Sequence, residues 1–433
     1  MLKRNIHLAL LMLFLVPACN ITVRNRKNLP AKVEVIKKNE KFQLEVNGKP
    51  FYVKGAGLEF GNIDALGSHG ANSFRTWRTE NGKEDALVVL DKAFKNGLMV
   101  LMGLEVGRER HGYDYSDTVW VKKQFNYIKG EVERLKHHPA LLGWIIGNEL
   151  NLLATNFKVF DAVNDLSEMI HEVDPNHVTT TALSGIGKKE IDYIREHCND
   201  LDFICIQIYG DIVNLQQRIT ESGWNGPYMV TEWGATGHWE VPRTTWGAPV
   251  EQTSSEKAGA LIKRYQEAIQ IDTLRCLGSY VFLWGQKQER TPTWYGMFLE
   301  TGEETESVDA MHYLWNGKWP ENRCPSIGQI EINGKDAYSS IIVSAGNSID
   351  ARVVATDPES DSLWYKWEIM PESSDLGMGG DFESRPASVL TLNSGAGTNF
   401  NAPSIPGAYR LFIYILDNKG NAATANIPFY VED

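Results

Sequence analysis

Cysteine is scarce in this chain, five in 433 residues, and none of the five shows the paired spacing of a zinc or iron–sulfur site. No disulfide framework is needed at this size, and Cys205, inside the apolar run Phe203-Ile204-Cys205-Ile206, reads as a buried thiol. Basic charge is also short: 43 Lys and Arg stand against 55 Asp and Glu, a formal net charge of −12. A chain with no obvious basic face is badly made to neutralise phosphates, so nucleic acid is excluded as a partner. Beyond Leu8–Val16 there is no long apolar run, and that one is too short to span a bilayer permanently. Low-complexity sequence is missing too, since 42% hydrophobic and 23% charged residues describe an ordinary globular protein. What stands out is tryptophan, with thirteen residues.

The amino terminus has the layout of an export signal over residues 1–18: Lys3 and Arg4, then the apolar run Leu8–Val16. It ends Val16-Pro17-Ala18-Cys19, which resembles the bacterial lipobox. The resemblance implies lipidation of Cys19 and an outer-membrane or cell-surface lipoprotein; without it the protein is periplasmic or secreted. Contact with a membrane is then expected only through this lipid anchor. Residues 19–39 are polar, with Arg24, Arg26, Lys27, Lys32, Lys37 and Lys38, and are expected to form a tether.

Between residues 40 and 320, short apolar runs alternate with segments of helical periodicity. Eight runs read as strands: Phe51–Lys54, Asn72–Trp77, Met99–Glu105, Leu142–Glu149, Val178–Leu183, Phe203–Tyr209, Tyr228–Trp233 and Ser279–Trp284. Apolar residues spaced by three and four mark helices between them, as at Leu87, Leu90 and Phe94, and at Val159, Val163, Leu166 and Ile170. Asn47-Gly48 signals a hairpin ahead of the first barrel strand. Continuous apolar strands alternating with helices imply a parallel sheet covered on both faces, and eight such units predict an α/β (β/α)8 TIM barrel. A doubly wound open sheet is the alternative.

Residues 325–433 differ in character. They hold 6 basic and 14 acidic residues, short β-rich runs and many turn residues, which predict an immunoglobulin-like β-sandwich. This region is expected to serve as a spacer rather than a weak carbohydrate-binding module. Its acidic turn at Asp357–Asp361 is read as a solvated loop rather than a Ca²⁺ site. His111 and the pair His137-His138 lack ligand spacing, so no metal and no cofactor are expected.

In such a barrel the site lies at the carboxyl ends of the strands. Strand four ends Gly147-Asn148-Glu149 and strand seven ends Thr231-Glu232-Trp233, so each apolar run finishes in a carboxylate. A buried carboxylate is costly unless paired or used. Strands four and seven face each other across the mouth, so these two glutamates can approach to about 5–5.5 Å, the separation of a retaining glycosidase. Glu105 ends strand three and is expected to meet either a substrate hydroxyl or an arginine, Arg78 or Arg108. His238 and Trp239 follow strand seven and are expected to line the cleft.

With His138-Pro139-Ala140-Leu141-Leu142-Gly143-Trp144 ahead of Gly147-Asn148-Glu149, the barrel resembles the retaining glycoside hydrolases of families 2 and 5. The resemblance implies Glu149 as acid/base and Glu232 as nucleophile. It also implies that Arg75 keeps the nucleophile ionised, Asn148 binds the sugar 2-hydroxyl, Tyr209 donates to the nucleophile, and Trp284 floors the sugar at the cleavage point. Gln207 stands where many relatives carry Asn or His, and is expected to contact substrate. Eight of the thirteen tryptophans (Trp224, Trp233, Trp239, Trp246, Trp284, Trp294, Trp315 and Trp319) fall in the last third of the barrel, which suits stacking on an extended sugar chain. With the carboxy-terminal sandwich, this layout looks most like glycoside hydrolase family 158, the endo-β-1,3-glucanases. The expected partner is a β-glucan or related neutral polysaccharide, and the expected state is a monomer. A β-mannanase, a β-1,4-glucanase and an exo-β-glycosidase are the alternatives within the clan; a non-catalytic glycan-binding lipoprotein is the alternative outside it.

Overall fold

The computed structural model describes residues 29–433, so the expected export signal and Cys19 lie outside the described residues. Eight parallel strands, Val53–Gly57, Ser73–Arg75, Met99–Leu104, Leu141–Asn148, Val178–Ser184, Phe203–Gln207, Tyr228–Gly234 and Cys276–Phe282, pair in chain order. The eighth returns to the first, with Gly278 opposite Val53, and the barrel closes. The strands read as unbroken apolar runs because both faces are covered: every residue of Leu141–Asn148 and of Tyr228–Gly234 is buried. Helices cover the outside. Lys158–Val173 buries Val159, Val163, Leu166 and Ile170, the stripe its spacing predicts. Ala86–Lys95 is rotated from the expected stripe, with Val89, Leu90 and Ala93 buried while Leu87 and Phe94 face solvent.

The barrel interior is a packed core that includes Val53, Leu101, Leu142, Val178, Phe203, Met229, Leu277 and Tyr280. It continues into Ala31, Val33 and Leu44, which belong to an amino-terminal hairpin of Val33–Lys38 and Lys41–Val46. The Val33 N–H donates to the Asn176 carbonyl and the Phe42 N–H to the Leu274 carbonyl, each at 2.7 Å. Both acceptors lie just ahead of barrel strands, so the hairpin stoppers the end of the barrel opposite the strand tips. This corrects the expectation of a tether over residues 19–39. Within the described residues, that segment is a strand docked on the core. The signal was Ala31, Val33 and Val35 alternating with Lys32 and Glu34, a period of two hidden among the charges.

Residues 326–432 form two packed sheets. One holds Ser326–Ile332, Ser348–Thr356 and Gly397–Asn401; the other holds Ile341–Ser344, Trp364–Pro371, Leu390–Ser394, Gly407–Leu416 and Asn421–Glu432. The second sheet gains Glu304–Thr305 from the chain after the eighth barrel strand, paired parallel to Asn421–Ala422. Buried polar contacts reinforce the joint. Arg410, 1% exposed, donates to the Pro249 carbonyl at 2.8 Å and to Asn426 Oδ1 at 2.7 Å, and Asn426 Nδ2 donates to Glu251 Oε2 at 2.6 Å. Arg410 is also held by Glu372 within the sandwich and Glu251 by Lys257 within the barrel, so the joint links two buried charged networks, one from each part. The sandwich is therefore built onto the barrel and is not a spacer. Cys198, Cys205, Cys276 and Cys324 are free and buried. Among the described residues, no helix is long and apolar enough to cross a membrane.

Candidate active site

Two strand tips depart from regular geometry, and these carry the glutamates. Pairing slips between Ile145 and Asn148, where Gly147 and Glu149 take left-handed backbone (φ 76° and 50°), and again between Val230 and Glu232. An irregularity of this kind re-aims side chains. Asn148 and Glu149 both reach the cleft although they are sequence neighbours, and Glu232 does so while Trp233 turns into the outer core.

The two carboxylates have opposite surroundings. Glu232 Oε1 accepts from Trp77 Nε1 at 2.9 Å, Gln207 Nε2 at 3.0 Å and Arg75 Nη1 at 3.3 Å, while Oε2 accepts from the Tyr209 hydroxyl at 3.0 Å. Every partner is a donor, and Oε2, with one bond, keeps a lone pair open. Glu149 faces a different balance. Burial pushes its carboxyl up to about 7, the nearby Glu232 charge adds to the rise, and Arg110, Ser184 and Arg108 pull against it. Burial, together with the charge of Glu232, also pushes the Tyr209 hydroxyl well above the ordinary phenol range, so it keeps its proton and donates.

Arg75, wholly buried, joins the two tips: Nη1 meets Glu232 and Nη2 donates to Asn148 Oδ1 at 2.7 Å. Arginine has no acceptor, so the amide oxygen of Asn148 must face it. That oxygen also accepts from Gln207 Nε2 at 2.6 Å, leaving the Asn148 amide nitrogen to donate elsewhere. Gln207 thus belongs to the support of Glu232 and Asn148. Its own Oε1 is buried without a partner.

The cleft above these residues has a volume of about 1460 Å³. That exceeds the roughly 300–1,000 Å³ of a site for one small ligand. Glu105 lines it as an exposed carboxylate; Arg78 is held by Glu59 at 2.8 Å, and Arg108 faces Asp381 at 3.9 Å, so neither arginine takes it up. His238 and Trp239 line the cleft as expected of their loop. Burial, then the charges of Arg290 and Arg243, push His238 down to about 4, so its ring is neutral near pH 7, with Nδ1 accepting from Arg290 Nε at 3.4 Å. Trp239 is 55% exposed and meets Tyr209 edge-on with centroids 5.6 Å apart.

Trp284 is a correction. It is wholly buried on the outside of the barrel among Phe298, Trp315 and His69, with Nε1 donating to the Asn62 carbonyl at 3.0 Å. The eighth strand runs Cys276–Phe282, not Ser279–Trp284, and its inward residues are Tyr280 and then Phe282, which faces the cleft. Strand alternation counted from Tyr280 would have found Phe282. The same step of two from Arg75 gives Trp77, the donor to Glu232 that went unassigned. The tryptophan excess is mainly core: Trp233, Trp284, Trp294 and Trp315 are buried, and of the thirteen only Trp77 and Trp239 line the cleft. In the sandwich turn, Asp357, Asp361 and Asp417 bring carboxylate oxygens within 4.8 Å of one another. Lys419 already pairs with Asp361 at 2.6 Å, and both Asp417 oxygens accept hydrogen bonds from neighbouring turn and loop residues.

No family model matches the chain. A mannan endo-1,4-β-mannosidase F of Aspergillus clavatus is 28% identical over 122 residues, covering 25% of this chain and 28% of that protein. Among solved structures, Bacteroides uniformis β-glucuronidase 2 aligns with 92% of this chain and 48% of its own, at 14% identity and a TM-score of 0.49. A Rhizomucor miehei glycoside hydrolase family 5 mannosidase aligns with 66% of this chain and 96% of its own, at 15% identity and a TM-score of 0.49. The chain thus spans about a quarter of the fungal mannosidase it matches in sequence and about half of the glucuronidase.

Proposed function

We propose that the chain is a retaining glycosidase that cleaves β-linked neutral polysaccharide, with Glu149 as acid/base and Glu232 as nucleophile. The observation that carries this reading is the division of two carboxylates in one cleft, one surrounded by four donors and the other raised to about 7. Glu149 gives its proton to the leaving glycosidic oxygen as Glu232 Oε2 bonds the anomeric carbon, breaking the carbon–oxygen bond. Glu149, now ionised, takes a proton from water; the water oxygen attacks the same carbon and Glu232 leaves, restoring both groups. The amide nitrogen of Asn148 is free to donate to the 2-hydroxyl in both steps.

The cleft lining holds eleven carboxylates and six Lys or Arg residues, and Arg78, Lys287, Arg290 and Arg385 are each paired with an acid. That charge balance favours a neutral glycan over a uronide. The cleft volume favours several sugar rings, so the finer proposal is an endo-β-1,3-glucanase of the family 158 type, acting as a monomer on a β-glucan. The 28% identity to a mannan endo-1,4-β-mannosidase supports a β-mannanase as the second reading. An exported lipoprotein anchored at Cys19 completes the proposal, and loss of lipid labelling in Cys19→Ala would support it.

The test is incubation with laminarin, mannan and β-1,4-glucan, with product lengths and the anomer first released followed by chromatography and NMR. Retained β-anomer and oligosaccharides from laminarin support the reading. Oligosaccharides from mannan alone move the substrate to the second reading; release of monosaccharide alone overturns endo action. Binding without hydrolysis on any glycan overturns the enzyme.

A further inference from the structure

One wall of the cleft does not come from the barrel. Between strands Trp364–Pro371 and Leu390–Ser394 of the sandwich, the chain loops over the barrel mouth, and Gly377–Glu383 with Arg385 line the cleft beside Glu149. The loop is pinned from both sides. His111 Nε2 lies 3.0 Å from Asp381, Lys287 Nζ donates to the Gly380 carbonyl at 2.7 Å, and Arg110 donates to the Gly379 carbonyl at 3.3 Å. Glu383, whose side chain is fully buried, accepts from Arg290 Nη1 at 2.7 Å and from the Gly377 N–H at 3.0 Å.

Between the anchored Asp381 and the buried Glu383 stands Phe382, 85% exposed and part of the cleft lining. Met378, 57% exposed, lines the same wall. A large apolar ring held out in water by fixed neighbours on both sides gains nothing for the fold, and its exposure is a cost that burial against a ligand would remove. The ring also sits in a cleft whose other exposed aromatic members, Phe60 and Trp239, come from barrel loops.

We propose that the sandwich loop 377–385 is a substrate-binding element of the cleft, with Phe382 as a stacking platform for a sugar ring at a subsite away from the bond cleaved. This deepens the glycosidase reading and rests on it. Flat aromatic faces match the C–H faces of pyranoses, and no charged group is required of the ligand there. The sandwich then selects for chain length, while the barrel performs the chemistry.

The experiment compares wild type, Phe382→Ala and Phe382→Trp on the long polymer that wild type cleaves and on a short aryl glycoside that occupies only the positions next to Glu149 and Glu232. Phe382→Ala should raise KM for the polymer about five- to tenfold, leave kcat within about twofold and leave the aryl glycoside unaffected. Phe382→Trp should restore polymer KM, which a merely structural role would not produce. An unchanged polymer KM in Phe382→Ala overturns the platform while sparing the glycosidase; a wild type inactive on every glycan overturns the glycosidase itself. Equal loss on both substrates also overturns the platform, since the defect would then lie at the reacting centre.

Discussion

Glu149 and Glu232 are the same side chain on the same kind of strand tip, and the barrel treats them oppositely. Around Glu232, on strand seven, four donors from the ends of two other strands (Arg75 and Trp77 at strand two, Gln207 and Tyr209 at strand six) fix both oxygens. Around Glu149, burial and a neighbouring negative charge oppose ionisation, and two arginines limit the effect. The lesson is that role is assigned by what converges on a carboxylate. Spacing along the chain locates the pair; it does not say which does what.

The sharpest way to break this comparison is to remove each carboxylate. Glu232→Ala should lower kcat on every substrate on the order of 10⁴–10⁶-fold. Glu149→Ala should lose about 10²–10⁴-fold on polymer yet far less on an aryl glycoside with an acidic phenol, which needs no proton to leave. Equal losses for the two variants on that aryl glycoside would erase the distinction. Next in size, Tyr209→Phe removes the sole donor on Glu232 Oε2 and should cost about 10²-fold in kcat, measured on the same substrates.

A smaller effect tests the arginine that tempers Glu149. Arg110 Nη1 donates to the Glu149 carbonyl at 3.2 Å, and its charge favours the Glu149 carboxylate. In its proposed role Glu149 starts protonated, so kcat/KM of wild type should fall as pH rises past about 7. Arg110→Met removes a charge that stabilises the ionised form, so this falling limb should move to higher pH by about half a pH unit. A limb that stays in place, or moves down, would mean Arg110 does not act on Glu149.

The smallest effect is on stability. Glu149 holds its proton more tightly in the folded chain than in the unfolded one, where a glutamate titrates near 4.3. Its favourable contribution is complete below that value and is lost as pH rises through about 7. Glu149→Gln should therefore melt like wild type at pH 4 and higher by about 2 °C or more at pH 8.5, read by calorimetry.

Much of this architecture is legible in the sequence, because apolar runs and three-four spacing are local signals. All eight expected barrel strands overlap the observed ones, and the two tip glutamates, Arg75, Asn148, Gln207 and Tyr209 come together. What the sequence hides is phase and distance. A slip of two residues in the eighth strand exchanged Phe282 for Trp284, since both are aromatic and both are in phase with Tyr280, and only the end of the strand at Phe282 separates them. The charged residues of the amino-terminal hairpin masked its alternation and made it resemble a tether. Contacts such as Arg290 with Glu383 or His111 with Asp381 join residues 93 and 270 positions apart, and no pattern within a window of sequence encodes them.

The hairpin stopper separates the start of the described chain from the cleft. It occupies the barrel end opposite the strand tips, so the described chain enters the barrel at the end away from the cleft. Closing that end with backbone hydrogen bonds to Asn176 and Leu274 leaves the strand tips as the open face of the barrel.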